Sequence, residues 1–85
     1  MADNAFVYVT DRDCHLCEHG REIVGSLAAE KGLAVEEIPW HSERGAALVG
    51  RDGVVFPPAL YLGQRLVGYG RLSERRLRKI LREAA

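Results

Sequence analysis

Ala5-Phe6-Val7-Tyr8-Val9-Thr10-Asp11-Arg12-Asp13-Cys14-His15-Leu16-Cys17-Glu18-His19-Gly20 decides how this chain is read. Residues 5–10 are β-branched, aromatic or small, with no charge among them. That pattern predicts a buried strand. Asp11, Arg12 and Asp13 end it, and Asp13 suits a helix N-cap. From Cys14 the period changes: Leu16, Gly20, Val24 and Ala28 recur every four residues, with Ile23 and Leu27 beside them. This is one face of an amphipathic helix, which Gly32 closes as a glycine just past its end.

The pattern extends downstream. Leu33 to Ile38 reads as a second strand stopped by Pro39. Ser42 with Glu43 starts a short helix running to about Val49 and ended by Gly50. Arg51-Asp52-Gly53 is a turn. Ala59–Leu62 and Arg65–Val67 are two further strands, joined through Gly63-Gln64 as a tight hairpin. Ser73 is the N-cap of a last helix, whose apolar stripe is Leu77, Ile80, Leu81 and Ala84. The order is β-α-β-α-β-β-α. A parallel crossover through the first helix is expected to be right-handed, and the hairpin is antiparallel. The expectation is an α/β fold, a mixed four-stranded sheet with helices on both faces.

Eighty-five residues allow one domain, taken as 1–85. With 47% hydrophobic residues the chain has the material for a core, which argues against disorder. Formal charges balance to +0, so no molecule-wide field draws the protein to nucleic acid or membrane. The balance hides a gradient: residues 71–85 carry six basic and two acidic side chains, and the rest is acidic by the same margin. No apolar run approaches the roughly eighteen residues that a membrane span needs. Met1-Ala2-Asp3-Asn4 lacks the basic and apolar regions of a secretion signal, so a cytoplasmic location is expected; a monomer is expected as well.

Only two cysteines are present, three positions apart. A disulfide scaffold spreads its cysteines over distant loops; a two-residue spacing after a strand and at a helix start points to redox chemistry or metal binding. The partial positive charge of a helix N-terminus stabilises a thiolate, the reactive form of cysteine. Cys14 is therefore the candidate nucleophile. Cys17, one turn further in, is the candidate resolving thiol, partly buried and less reactive. Arg12, and His15 when protonated, favour the Cys14 thiolate, whereas Asp13 opposes it. The metal alternative draws on Cys14, Cys17, His19 and His41 as a two-Cys, two-His zinc set. It lacks a second close ligand pair.

Taken together, the strand–Cys14-x-x-Cys17–helix unit, Pro58-Ala59-Leu60-Tyr61-Leu62-Gly63 some forty residues later, and Gly68 with Gly70 before the last helix resemble the thioredoxin superfamily, in its short glutaredoxin-like branch. The likeness covers nearly the whole chain. It implies a thiol–disulfide oxidoreductase or electron carrier, using a redox-active Cys14–Cys17 disulfide with no metal. Its partners are a disulfide-containing protein or small thiol, and a reductase that the sequence does not name. The family carries a cis proline before its third strand, facing the cysteines and shaping the substrate groove. Pro58 matches best, with Pro57 as the other choice. His15, Tyr69 and Arg71 fall where the family contacts substrate.

Departures from the pattern matter. Pro57 has no N–H for a substrate backbone. The dipeptide between the cysteines is His-Leu. Gly68-Tyr69-Gly70-Arg71-Leu72-Ser73 replaces the acidic groups that hold the amine of glutathione, and Arg71 suits a carboxylate instead. A non-catalytic thioredoxin-fold or zinc-binding interaction module is the alternative. Trp40, beside His41, either lines the groove or caps the core. The basic face from Arg75 to Arg82 is read as solvated, with arginine stems covering core edge.

Overall fold

A computed structural model of the protein describes residues 5–84. The Met1–Asn4 stretch and the Ala84 side chain, both used above, lie outside what is described. The elements run β1 (Ala5–Thr10), α1 (His15–Lys31), β2 (Ala34–Pro39), α2 (Glu43–Arg51), β3 (Ala59–Leu62), β4 (Arg65–Tyr69) and α3 (Glu74–Ala84). They form an α/β structure around one mixed sheet in the order β2-β1-β3-β4. β1 pairs parallel with β2, Thr10 meeting Pro39. It pairs antiparallel with β3, Val9 meeting Ala59, and β4 closes the hairpin on β3.

Alternation along the strands sends side chains to two cores. Phe6, Tyr8, Leu60 and Val67 pack against Val24, Leu27 and Ala28 of α1 and Leu77 and Leu81 of α3. Val7, Val9, Ile38, Ala59 and Tyr61 face the other way and meet Val49 of α2 and Val54. Thus α1 and α3 cover one face and α2 the other. Trp40 packs against this second core. β1 is buried along nearly its whole length because it lies inside the sheet and is covered on both faces.

Several boundaries differ from expectation. Asp13 is not the cap of α1. It takes a left-handed backbone (φ 51°), and Cys14, extended, is the N-cap. The strand-to-helix turn requires one left-handed residue, and aspartate tolerates that conformation better than most. β2 starts at Ala34 and includes Pro39. A proline with no N–H is tolerated there because β2 is an edge strand. α2 continues through Gly50 to Arg51; the left-handed turn glycine is Gly53, at φ 66°. β4 runs on to Tyr69, helped by a register shift at Leu60/Tyr61. The other caps agree: Gly32 is left-handed at the end of α1. Ser42 accepts the Gly45 N–H at 3.0 Å, and Ser73 the Arg76 N–H at 3.2 Å.

Candidate active site

The register of the sheet gathers four chain segments at one end. β1 runs out into Asp11–Cys14. β2, parallel to it, runs out into Trp40 and His41. β3 begins at this end, just after Pro57 and Pro58. β4 finishes here, at Tyr69 and Arg71. Of the residues singled out from sequence, Cys14, Cys17, His15, Pro57, Pro58, Tyr69 and Arg71 therefore all come from segments at the same end.

Cys14 and Cys17 form a disulfide, with Cα atoms 5.1 Å apart. Cys14 is half-buried, and Cys17 lies in the core at 1% exposure. The Cys17 N–H donates to Cys14 Sγ at 3.1 Å, so the sulfur serves as the helix cap. The Glu18 N–H donates to the Cys14 carbonyl at 3.1 Å. Beneath this turn sits Tyr8, fully buried, whose hydroxyl donates to the Cys17 carbonyl at 2.8 Å. Burial pushes the Tyr8 phenol up to about 12. The ring reaches this far because Gly20 has no side chain: a Cβ there would strike the Tyr8 hydroxyl and crowd Leu72.

On one flank, Thr10 Oγ1 donates to Glu37 at 2.8 Å, and the Arg21 guanidinium grips the same carboxylate at 2.9 and 2.6 Å. These charge-assisted bonds, Arg21 first and Thr10 second, hold the Glu37 carboxyl below the usual carboxylate range. A groove runs past them, lined by Asp11, Arg12, Arg21, Glu37, Pro39 and His41 among others. His41 lies 3.5 Å from Asp11.

On the other flank the Pro57–Pro58 bond is cis, which answers which of the two prolines is the cis residue. Pro58 is buried, and its carbonyl accepts the Gly70 N–H at 2.7 Å. Phe56 is half exposed, packs edge-on against Tyr69 at 5.8 Å between ring centres, and covers Gly70. Gly70 is left-handed (φ 72°), and any side chain there would meet the Phe56 ring. His15 and Arg71 are exposed.

Sequence reasoning misses Tyr8 and Glu37, and it reaches Phe56 only through its backbone N–H, as a donor to substrate were Pro57 the cis residue, not through its ring. Tyr8 is signalled by alternation, which points it to the same face as Phe6 and hence towards α1. The contact of Glu37 with Thr10 and Arg21 depends on register, which no local pattern carries. Among the described residues no three His, Cys, Asp or Glu side chains converge as a metal site, so Cys14, Cys17, His19 and His41 are not assembled as one. Nor is any described helix long and apolar enough to cross a membrane. No protein-family model matches the chain, and no curated protein matches it.

Proposed function

We propose that this protein is a thiol–disulfide oxidoreductase of the thioredoxin superfamily, glutaredoxin-like in size, with Cys14 as nucleophile and Cys17 as resolving thiol. One observation carries the reading: a half-buried cysteine caps the N-terminus of a long helix and is joined to a buried cysteine one turn further in. The sheet order, with α1 and α3 on one face and α2 on the other, is the arrangement this superfamily leads one to expect.

The chemistry follows from the geometry. In the reduced protein the Cys14 thiolate sits at the positive end of α1, where the Cys17 N–H offers it a charge-assisted hydrogen bond. It attacks one sulfur of a partner disulfide, joining that sulfur and releasing the other as a thiolate. The Cys17 thiolate then attacks Cys14 Sγ and releases the second partner sulfur. The partner leaves as two thiols, and the protein keeps the Cys14–Cys17 disulfide. A thiol or dithiol reductant restores the starting state, so the protein carries two electrons per cycle. The partner is a protein or small-thiol disulfide that lies along Pro57 and Tyr69, with buried Pro58 setting the backbone beneath them. Exposed Arg71 favours a partner with a carboxylate over the glutathione amine. The reading implies a single, monomeric, cytoplasmic domain with no metal.

A redox titration in dithiol buffers, with free thiols trapped and counted by mass, tests this directly. A single two-electron transition is expected, and Cys14→Ser abolishes disulfide reduction. Cys17→Ser retains the attack and accumulates a mixed disulfide. Exchange activity in Cys14→Ser, or no intramolecular disulfide at any poise, overturns the assignment and leaves a binding module.

A further inference from the structure

The carboxylates and guanidiniums of this protein are unevenly matched. Arg78 takes two of the carboxylates near α3, Glu30 of α1 and Glu74 of α3, each at 2.8 Å. Arg71, Arg75, Arg76, Lys79 and Arg82 are exposed, and none meets a carboxylate at ion-pair distance among the described residues. Arg75, Arg76, Lys79 and Arg82 stand opposite the Leu77–Leu81 stripe and, with Ser73, line one open hollow of about 380 Å³. Only the head of α3 lies near the cysteine end of α1, and the helix then runs towards the other end of α1, where Arg78 meets Glu30. Arg71 follows the end of β4, and Leu72 packs where α1 has Gly20, one turn past Cys17. From there α3 extends for roughly 16 Å at 1.5 Å per residue.

We propose that the outer face of α3 docks an acidic surface of a protein partner whose disulfide meets Cys14; the proposal rests on the redox reading above and names the class of substrate. An acidic protein patch suits the strip better than a long polyanion. Outside residues 71–85 the chain is net acidic, and α1, on the same face of the sheet, exposes Glu18, Glu22 and Glu30. A nucleic acid or anionic bilayer extends beyond one helix and meets that repulsion, whereas a patch of helix length does not. Complementary charge of this kind raises encounter rates and fixes orientation.

The test compares two peptides that share one disulfide loop and a flexible spacer, one ending in a run of glutamates and the other in a run of lysines. Reduced protein is expected to react with the glutamate peptide about tenfold faster at low salt, and the gap closes at high salt. The gap also closes in R75Q/R76Q/K79Q/R82Q and inverts in R75E/R76E/K79E/R82E. Hydroxyethyl disulfide, which has no charge to dock, is reduced equally by all three proteins. Equal rates for the two peptides overturn the proposal. So does tighter, strip-dependent binding of a DNA oligonucleotide or of phosphatidylserine vesicles. Failure to reduce hydroxyethyl disulfide at all strikes the redox reading instead, and titrating the glutamate peptide into oxidised protein still reads the surface.

Discussion

Tyr8, Gly20 and Cys17 make the tightest small unit of the site, since a phenol hydroxyl occupies the space that a Gly20 side chain would need and ends on the Cys17 carbonyl. That carbonyl lies within α1, so Tyr8→Phe removes a second hydrogen bond and leaves no orphan. The expected loss is about 1 kcal/mol, read from the urea midpoint of the oxidised protein. Gly20→Ala forces the ring aside and costs more, about 1–3 kcal/mol. The double variant is expected to fall short of the sum, because with the hydroxyl gone the new methyl has less to strike. Strict additivity in this cycle contradicts the contact. At this scale the cysteine pair was legible in the sequence because its chemistry is encoded in spacing alone. The partners that shape its surroundings were less so: Tyr8 is hinted at by alternation along β1, but Glu37 arrives only through the pairing of β2 with β1.

Elements are held to one another by a few specific ties. Arg78 links α3 to α1 through Glu30 and holds Glu74 on its own helix. Both pairs are open to solvent, so Arg78→Gln is expected to give a small drop in melting temperature that added salt erases. Arg21 and Thr10 bind α1 and β1 to β2 through Glu37. The Glu37 carboxyl is held below its unfolded value, so its contribution is complete above the ordinary carboxylate range. It is lost as pH falls through the folded value. Wild type is therefore expected to out-stabilise Glu37→Gln at neutral pH and to lose that advantage in acid; a constant difference argues against the pairing. Element order was legible from periodicity, and Ser42 and Ser73 from their capping chemistry. The reach of α2 past Gly50 and of β4 past Val67 was not, since α2 continues through a glycine that reads as a stop and β4 is extended with a register shift in its pairing.

Across the whole molecule, the sheet divides two cores, and each holds a buried tyrosine. Tyr8 lies under α1 and α3, and Tyr61 under α2. Burial, reinforced for Tyr61 by the nearby Asp52 carboxylate, pushes both phenols up to about 12. Raised values mean that their share of stability is whole below the ordinary phenol range and drains away as pH climbs towards 12. Phenolate absorbance is expected to rise for these two tyrosines together with unfolding; early ionisation of both in folded protein contradicts the two-core description. Leu27→Ala, at 0% exposure in the first core, is expected to cost about 2–5 kcal/mol. The two-sided architecture was visible from the order of elements. Which face each helix covers was not stated by any local stretch, because handedness and strand order decide it.

Every segment of the candidate site enters from one end of the sheet, and at the other end the chain makes two of its turns. There the chain turns at Gly32 between α1 and β2 and at Gly63-Gln64 between β3 and β4. Gln64 is exposed, and its carbonyl is tied to Arg51 at 2.6 Å. Fluorophores, affinity tags or whole inserted domains grafted at Gln64 would report on the cysteines without standing in front of them. The protein can thus be handled from one side while it works from the other.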